Sequence, residues 1–337
     1  MISMERIDLD NVPWQELDQF SDRTIFQTPP WLGFLAKTQG AEPIVSAVKE
    51  NGHTLGYFTG MVTKKLGFKI LGSPFRGWTT GYMGFNLPPG FPRRQVLQAL
   101  PTFAFRDLGC HYLEIIDRHI YKDDYCDQSY SVHSTRIFEI DLTQSEDQLL
   151  ANMDSACRRC IRKAAKCGVS TEEASDMGFA DEYYAQLRDV FAKQSLVPTY
   201  SLERVRELID YLLPTGHLLL LRARSAEGLC IATGIFPAFN DAAYFFGGAS
   251  WREHQILRPN EPLIWHAMRY WKARGMSKFD MGGRAAYKRK YGIYECEAST
   301  GMKAKYESLI SLRNLAQRVW KVRQRTLGRF TGEDAAK

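Results

Sequence analysis

The stretch KARGMSKFDM (residues 272–281) is the most informative about the fold, because it has a distant counterpart in RDLGCHYLEI (residues 106–115). Both segments carry a cation, a glycine three positions later, and then an apolar residue, an acid and an apolar residue. An amphipathic segment precedes each of them, QVLQALPTFAF (95–105) in the first case and PLIWHAMRYW (262–271) in the second. Each copy therefore predicts a helix, a glycine that ends it, and a buried strand.

A second pair of segments supports an internal duplication. AVKENGHTLGYFTGMV (47–62) and RARSAEGLCIATGIFP (222–237) both predict a strand, a polar turn and a strand with a Thr-Gly. Short apolar and glycine patterns also match by chance, but two pairs in the same order favour duplication. The sequence therefore predicts an α/β protein with two domains of similar topology, 1–144 and 145–302, followed by a basic helical tail at 303–337.

The composition is that of a globular protein. The chain has 337 residues, of which 45% are hydrophobic. Its longest apolar runs fall far short of the roughly 18 residues that a membrane helix needs. The seven cysteines are odd in number and scattered, which is typical of reduced thiols, and the first residues do not resemble a secretory signal. We therefore expect a cytoplasmic location.

Positive charge is concentrated near the end of the sequence. The formal net charge is +6, and residues 303–329 alone contribute +7. Residues 308–330 combine apolar residues and cations in a pattern typical of helices that lie on anionic membranes. Peripheral contact with the inner face of a membrane is one expectation. Docking of the tail on the protein body and contact with tRNA are the alternatives.

The run SEDQLLANMDSACRRCIRKAAKCG (145–168) predicts a helix with Ser145 as its N-cap and Gly168 as its end. Its apolar stripe consists of Leu150, Met153, Cys157, Ile161 and Ala164. Its basic face consists of Arg158, Arg159, Arg162, Lys163 and Lys166. No acid lies between Asp154 and Glu172, so an anion site for phosphate is favoured over a merely solvated face.

Metal and hydrolase chemistry have little support in the sequence. Cys157, Cys160 and Cys167 would need a fourth ligand to hold zinc, and within thirty residues on either side His133 is the one further Cys or His. We therefore predict no metal. The sequence contains no HExxH, GxSxG or Walker A motif, so it supports neither a hydrolase triad nor nucleoside triphosphate chemistry.

The stretch DMGGRAAYKRKYG (280–292) combines an acid, a pair of glycines, two tyrosines and four cations. Asp280 ends the predicted buried strand, and Gly282-Gly283 let the backbone turn or approach a ligand closely. Such an arrangement suits an amine that is being acylated. Asp280 would hold or deprotonate the amine while the cations bind phosphates. A solvent loop with incidental cations is the alternative.

Two further cations are candidate substrate ligands. Arg162 lies one helical turn after Arg158 on the basic face. Arg76 lies in the aromatic, glycine-rich stretch SPFRGWTTGYMGF (73–85). We expect this stretch either to line a cleft between the domains or to pack on its own domain.

At the level of motifs, the second half resembles the GNAT-like acyltransferases of the Fem type, which add amino acids to peptidoglycan precursors. It also resembles the related CelD-like acetyltransferases linked to exopolysaccharide synthesis. RRCIRKAAKCGV (158–169) is similar to the family's Arg-x-x-Ile-x-Lys-Ala helix, and YKRKYG (287–292) to its Phe-Lys-x-x-Phe-Gly motif. Residues 245–283, from FFGGAS to FDMGG, resemble its strand, loop, helix and strand ending in Asp-x-Gly-Gly. FQTPPWLGFLAK (26–37) is a weaker match to the family's Gln-x-x-x-Trp entry helix.

The resemblance implies a fold and a set of binding residues. The implied fold is a tandem of GNAT-like domains with mixed, largely antiparallel sheets flanked by helices. The implied ligands for the phosphates of a nucleotide- or lipid-linked sugar are Lys37, Arg158 and Lys288.

The resemblance leaves the acyl donor open. Ordinary GNAT enzymes bind the CoA pyrophosphate with an Arg/Gln-x-x-Gly-x-Gly/Ala loop that opens a helix. Residues 258–263 stand in that place, with Arg258 as the candidate cofactor ligand, but they contain two prolines and no glycine. The long helical arm of some Fem enzymes, thought to meet tRNA, has no counterpart here. Acetyl-CoA or another acyl-CoA and aminoacyl-tRNA therefore both remain possible donors.

We therefore expect an acyltransferase that moves an acetyl or aminoacyl group onto an amine, or a hydroxyl, of a phosphate-bearing cell-envelope or exopolysaccharide precursor. Asp280 would position the acceptor, Tyr287 would donate a proton to the leaving group, and transfer would be direct. One alternative is a CoA-dependent N-acetyltransferase of a soluble metabolite. The other is a non-catalytic RNA-binding protein.

Overall fold

The chain forms two compact units. The computed structural model describes residues 1–65, 67–193, 196–283, 285–306 and 308–309. The first unit comprises Met1–Ile137 and the part of the last strand that begins at Cys296. The second unit comprises Phe138–Glu295. The boundary between the units therefore lies at 137/138, whereas the sequence predicts it at 144/145. The basic tail beyond Leu309, with the membrane or tRNA contact expected of it, lies outside the described residues.

The first unit is a sheet with helices. Its strands are β1 (Ile2–Ile7), β2 (Glu42–Glu50), β3 (His53–Lys65), β4 (Phe68–Ser73), β5 (Gly84–Asn86), β6 (Tyr112–Ile116) and the first part of β7 (Ser131–Asp141). Its helices are α1 (Trp14–Leu17), α2 (Pro29–Gln39) and α3 (Arg93–Thr102). The strand order is β1-β2-β3-β4-β6, antiparallel except for the parallel pair β4 and β6. The turn between β2 and β3 is Asn51-Gly52, both with positive φ, as a tight hairpin requires.

The second unit repeats this plan. Its helices are α4 (Glu146–Asn152), α5 (Ser155–Lys166), α6 (Gly178–Ala192), α7 (Leu202–Leu212) and α8 (Asn260–Ala273). Its strands are β8 (Ser170–Ala174), β9 (Leu218–Arg224), β10 (Cys230–Phe239), β11 (Ala242–Tyr244), β12 (Gly247–Ser250) and β13 (Lys278–Gly283). The strand order is β8-β9-β10-β11-β13, and β12 pairs with β10. A last strand, β14 (Tyr294–Ala304), ends in the first unit, where Thr300–Ala304 pair with β6.

The repeated segments confirm the predicted tandem α/β fold. In each unit a helix precedes the later strand of a parallel pair, α3 before β6 and α8 before β13. The register places Gly72 opposite Glu114 in the first pair and Tyr244 opposite Asp280 in the second. Glu114 and Asp280 therefore hold equivalent positions in the two units.

The helix expected at 145–168 is in fact two helices. Ser145 is the N-cap, because its hydroxyl accepts the N–H of Gln148 and the Gln148 amide oxygen accepts the N–H of Ser145. However, Met153 and Asp154 have extended ψ angles of 148° and 146°, so α4 stops and α5 begins anew. The break is stabilised from outside the segment, since the Asp154 N–H donates to the Lys290 carbonyl at 2.9 Å. The two parts of the predicted apolar stripe thus belong to different helices.

Helix α8 is fixed by its apolar face. Leu263, Ile264, Ala267, Met268 and Trp271 are all buried, at the spacing of a helix that packs on a sheet. The Trp271 indole N–H also donates to the Phe236 carbonyl of β10 at 3.2 Å. This packing fixes the position of the first turn of α8 on the sheet. None of the described helices is long and apolar enough to cross a membrane.

Candidate active site

The sheet of the second unit opens between β12 and β13. β11 and β13 run parallel as far as Tyr244 and Asp280, and the Phe245 N–H donates to the Asp280 carbonyl at 2.8 Å. Beyond that point β12 pairs with β10, and no described strand lies on its other edge. Gly247 is required here, since a Cβ at this position would lie 2.5 Å from the Tyr183 hydroxyl.

A cavity of about 370 Å³ lies at this opening. It is lined by β12, by the first turn of α8 and by the 3₁₀ segment Ala286–Tyr291. Phe236, Phe245 and Ile264 supply apolar lining, while Tyr287, Glu261 and Lys290 supply polar groups. A concave, mainly apolar site with a few polar groups is the usual form of a small-molecule site.

The first turn of α8 offers few backbone N–H donors for binding a pyrophosphate. Pro259 and Pro262 have no N–H, so they remove two of the backbone donors that a helix start usually offers to an anion. Arg258, the predicted cofactor ligand, does line the cavity, and it takes the left-handed conformation at φ 60° that favours glycine. The Asn260 side chain donates to the Ser250 hydroxyl at 3.1 Å, which ties the helix start to β12.

A buried carboxylate that the motifs did not indicate faces this cavity. Glu261 is 5% exposed, and its Oε1 accepts a hydrogen bond from Lys290 Nζ at 2.6 Å. Lys290 is itself held, because its carbonyl accepts the Asp154 N–H. The feature of the sequence that could have indicated Glu261 is an acid between two prolines at the start of an apolar helix.

Asp280, the predicted acceptor-binding carboxylate, is 3% exposed. Its Oδ1 accepts the Gly282 N–H at 2.5 Å, where Gly282 has a φ of 69°. It is not among the described residues that line the cavity. The carboxylate therefore shapes the Gly282-Gly283 turn, and a direct role in catalysis stays a prediction.

Lys288 and Tyr287, the other predicted residues of this stretch, lie beside the cavity. Lys288 Nζ donates to the Met281 carbonyl and lies 5.5 Å from the centroid of the Phe245 ring. Burial lowers the pKa of Lys288, and the nearby Asp280 carboxylate partly offsets this effect. Tyr287 lines the cavity with about half of its surface exposed, and partial burial raises the pKa of its hydroxyl.

The basic face of α5 divides into two kinds of residue. The Arg158 guanidinium donates to the carbonyls of Leu150 at 3.2 Å, of Ala151 at 2.9 Å and of Met153, so it caps the end of α4. Arg162 is exposed, and within the described part of the chain it forms no ion pair. Part of the hydrogen-bonding capacity of Arg158 is thus used within the fold, whereas the Arg162 side chain is available to bind an anion.

The two candidate ligands of the first unit are exposed. Lys37 lies in the last turn of α2. The Arg76 side chain is exposed, while its backbone N–H donates to the Glu114 carboxylate at 2.6 Å. Part of the loop around Arg76 packs on its own unit, because the Trp31 indole donates to the Thr80 hydroxyl at 3.2 Å. The assignment of Lys37 and Arg76 to substrate binding stays a prediction.

Cys157 and Cys230 are not activated as nucleophiles, and the described residues contain no cluster of metal ligands. No group of three or more His, Cys, Asp or Glu side chains there could hold a metal ion. Burial raises the pKa of Cys157 to about 12 and that of Cys230 to about 11, so both thiols stay protonated at neutral pH.

Comparisons with known proteins agree with this geometry. Residues 151–289, which include most of the residues that line the cavity, match the family model described as acetyltransferase (GNAT) domain. No curated protein matches the sequence.

Most of the chain is similar in fold to solved structures of low sequence identity. FemX aligns with a TM-score of 0.71 at 14% identity, covering 88% of this chain and 96% of that one. A tandem GNAT protein from the clavulanic acid biosynthesis pathway gives 0.54 at 10% identity, covering 90% and 98%. L-PGS from Bacillus licheniformis gives 0.52 at 13% identity, covering 87% and 96%. The resemblance drawn from the motifs is thereby confirmed: the chain has the fold of tandem GNAT proteins, and residues 151–289 match an acetyltransferase (GNAT) domain.

Proposed function

We propose that this protein is an acyltransferase that moves an acetyl or aminoacyl group onto an amine, or a hydroxyl, of a phosphate-bearing cell-envelope or exopolysaccharide precursor. The match of residues 151–289 supports acyl transfer in general. The observation that carries the proposal is the cavity at the opening between β12 and β13, which is lined mostly by those residues. We place the protein in the cytoplasm, with the basic tail as a candidate contact to the inner face of the membrane.

The transfer would be direct. The reacting carbonyl would lie along the edge of β12 that has no partner strand among the described residues, where backbone N–H groups can stabilise a developing oxyanion. Tyr287 would hand a proton to the leaving group. A covalent intermediate on Cys157 or Cys230 is disfavoured, because burial raises the pKa of both thiols and leaves them without thiolate character.

The phosphates of the acceptor would be bound by cations around the cavity. Lys288 lies next to Phe245, which lines the cavity, and Arg162 is exposed on α5. The likeness in fold to FemX and to L-PGS is consistent with this class of acceptor. Lys37 and Arg76 of the first unit remain candidates for additional phosphate contacts.

The donor can be tested by calorimetric titration with acetyl-CoA and by a gel shift with charged tRNA. We expect acetyl-CoA to bind more weakly than to a helix start with a full set of N–H donors, because of Pro259, Pro262 and the Glu261 carboxylate. Binding of acetyl-CoA in the micromolar range would identify an acyl-CoA donor. Retention of charged tRNA alone would identify an aminoacyl donor. If uncharged tRNA bound equally well and no donor turned over, the RNA-binding alternative would replace the proposal.

Replacement of Lys288 by methionine is expected to weaken binding of UDP-glucosamine, a phosphate-bearing amino sugar, about tenfold, because one charge-assisted hydrogen bond is lost. The lowered pKa of Lys288 means that it loses its charge at a lower pH than an ordinary lysine does. Wild-type affinity should therefore fall more steeply than that of Lys288→Arg as the pH is raised into the alkaline range. Calorimetry at several pH values measures both effects.

The control for this prediction is Lys278→Met. Lys278 lies at the other end of β13 in a surface ion pair with Asp241, with 36% and 44% of the side chains exposed. It should bind the sugar nucleotide as the wild type does. Unchanged affinity of the Lys288→Met protein would remove Lys288 from the phosphate site.

A further inference from the structure

We infer that Glu261, rather than Asp280, binds the amine of the acceptor and takes its proton. This inference rests on the proposed function for the identity of the reaction, but its binding test does not require turnover. It makes an amine, and not a hydroxyl, the preferred acceptor group.

The two carboxylates differ in their position relative to the cavity. Glu261 lines the cavity, whereas Asp280 does not and instead holds the Gly282 N–H. The Glu261 side chain is 6% exposed, so a ligand in the cavity would meet it largely shielded from water. A charge-assisted hydrogen bond is strong in such surroundings.

The Glu261 carboxylate has hydrogen-bonding capacity that the described residues do not use. In the described part of the chain, Lys290 is the one donor to it, and that bond goes to Oε1. An ionised carboxylate has about four acceptor positions on its two oxygens. The second oxygen can therefore accept an N–H of an ammonium or amine that enters the cavity.

Lys290 fixes the orientation of the Glu261 carboxylate. Its Nζ lies 2.6 Å from Glu261 Oε1, so the ion pair holds one oxygen of the carboxylate in place. Its position is fixed, because the Lys290 carbonyl accepts the Asp154 N–H at the start of α5. The pair thus presents one carboxylate oxygen and a fixed positive charge to the acceptor.

The reaction begins with proton transfer from the acceptor. An R–NH₃⁺ acceptor transfers one proton to Glu261 and becomes R–NH₂. The amine nitrogen forms a bond to the acyl carbon, and the bond from that carbon to the oxygen or sulfur of the donor breaks. The leaving group takes up the second proton of the nitrogen through Tyr287, and Glu261 later releases its proton to solvent. The products are R–NH–acyl, the protonated leaving group and one proton.

The test compares two probes that differ in one group, UDP-glucosamine and UDP-glucose. We expect calorimetry to show that the wild-type protein binds the amino sugar at least tenfold more tightly. Glu261→Gln should abolish this preference, while Glu253→Gln should retain it, because Glu253 is 76% exposed and does not line the cavity. The double variant Glu261→Gln/Lys290→Gln leaves no unpaired buried charge and should also show no preference, even if the single variant folds poorly. A purely structural ion pair would not change the ratio between the two probes.

The outcomes separate this inference from the proposed function. Equal binding of the two probes by the wild type, no binding of the amino sugar, or a preference that persists in both Glu261 variants would each overturn the role of Glu261. In an assay of acyl transfer to UDP-glucosamine, the Glu261→Gln protein should lose at least about a hundredfold in kcat, as expected when a general base is removed. An amine preference that depends on Glu261, without transfer from any donor, would support the inference and count against the proposed function.

Discussion

Gly292→Ala is expected to lower the free energy of unfolding by about 3 kcal/mol or more. Gly292 ends the 3₁₀ segment Ala286–Tyr291 with a φ of 76°, a conformation that costs other residues energy. A Cβ at this position would lie 2.9 Å from the backbone carbonyl carbon and oxygen of Asn152. Neither backbone can move without disturbing the end of α4, so the strain and the clash add. Chemical denaturation of the purified variant measures the effect.

The control is Gly283→Ala in the same stretch. Gly283 lacks a positive φ, and a Cβ there would meet no atom within 4 Å. Its free energy of unfolding should stay within about 0.5 kcal/mol of the wild type. If Gly292→Ala were as stable as this control, the close approach of Gly292 to Asn152, and with it the position of one cavity wall, would be wrong.

Arg93→Met is expected to destabilise the protein by about 3–5 kcal/mol, because it leaves two buried carboxylates without their cation. Arg93 forms ion pairs with Asp22 and with Asp117, at 3.2 Å for the latter, and the two acids have 6% and 2% of their side chains exposed. It also donates to the Phe85 carbonyl at 2.9 Å. Thermal and chemical denaturation should therefore show the loss in the first unit.

Arg94→Met provides a control at the next position in the sequence. Arg94 pairs with Asp127, and these side chains are 46% and 88% exposed. An exposed pair of this kind contributes about 0–1 kcal/mol, so the variant should remain close to the wild type. Equal stability of the two arginine variants would show that the Asp22–Arg93–Asp117 network does not hold the first unit together.

The sequence predicts best where the signal is local. The spacing of Leu263, Ile264, Ala267 and Met268 is enough to predict α8, and the glycine at 275 is enough to end it. The duplication is visible because both copies keep the same order of helix, glycine and strand. These features depend on residues that are close together in the chain.

The sequence predicts poorly those features of the structure that depend on residues far apart in the chain. The break between α4 and α5 depends on a hydrogen bond from Asp154 to Lys290, and local helix signals do not contain it. Glu261 and Asp280 are both acids beside apolar segments, and only the opening of the sheet shows which of them faces the cavity. The partners of Arg93 lie 71 and 24 positions away, so composition cannot identify them.

The central claim is that acyl transfer takes place in the cavity between β12 and the 3₁₀ segment Ala286–Tyr291. The most direct measurement is transfer of a labelled acyl group to UDP-glucosamine, with acetyl-CoA and aminoacyl-tRNA offered separately as donors. The account predicts an N-acylated sugar nucleotide from at least one donor with the wild type and with Glu253→Gln, and little or none with Glu261→Gln. The absence of product from either donor, with a folded wild-type protein that binds the sugar nucleotide, would contradict the account.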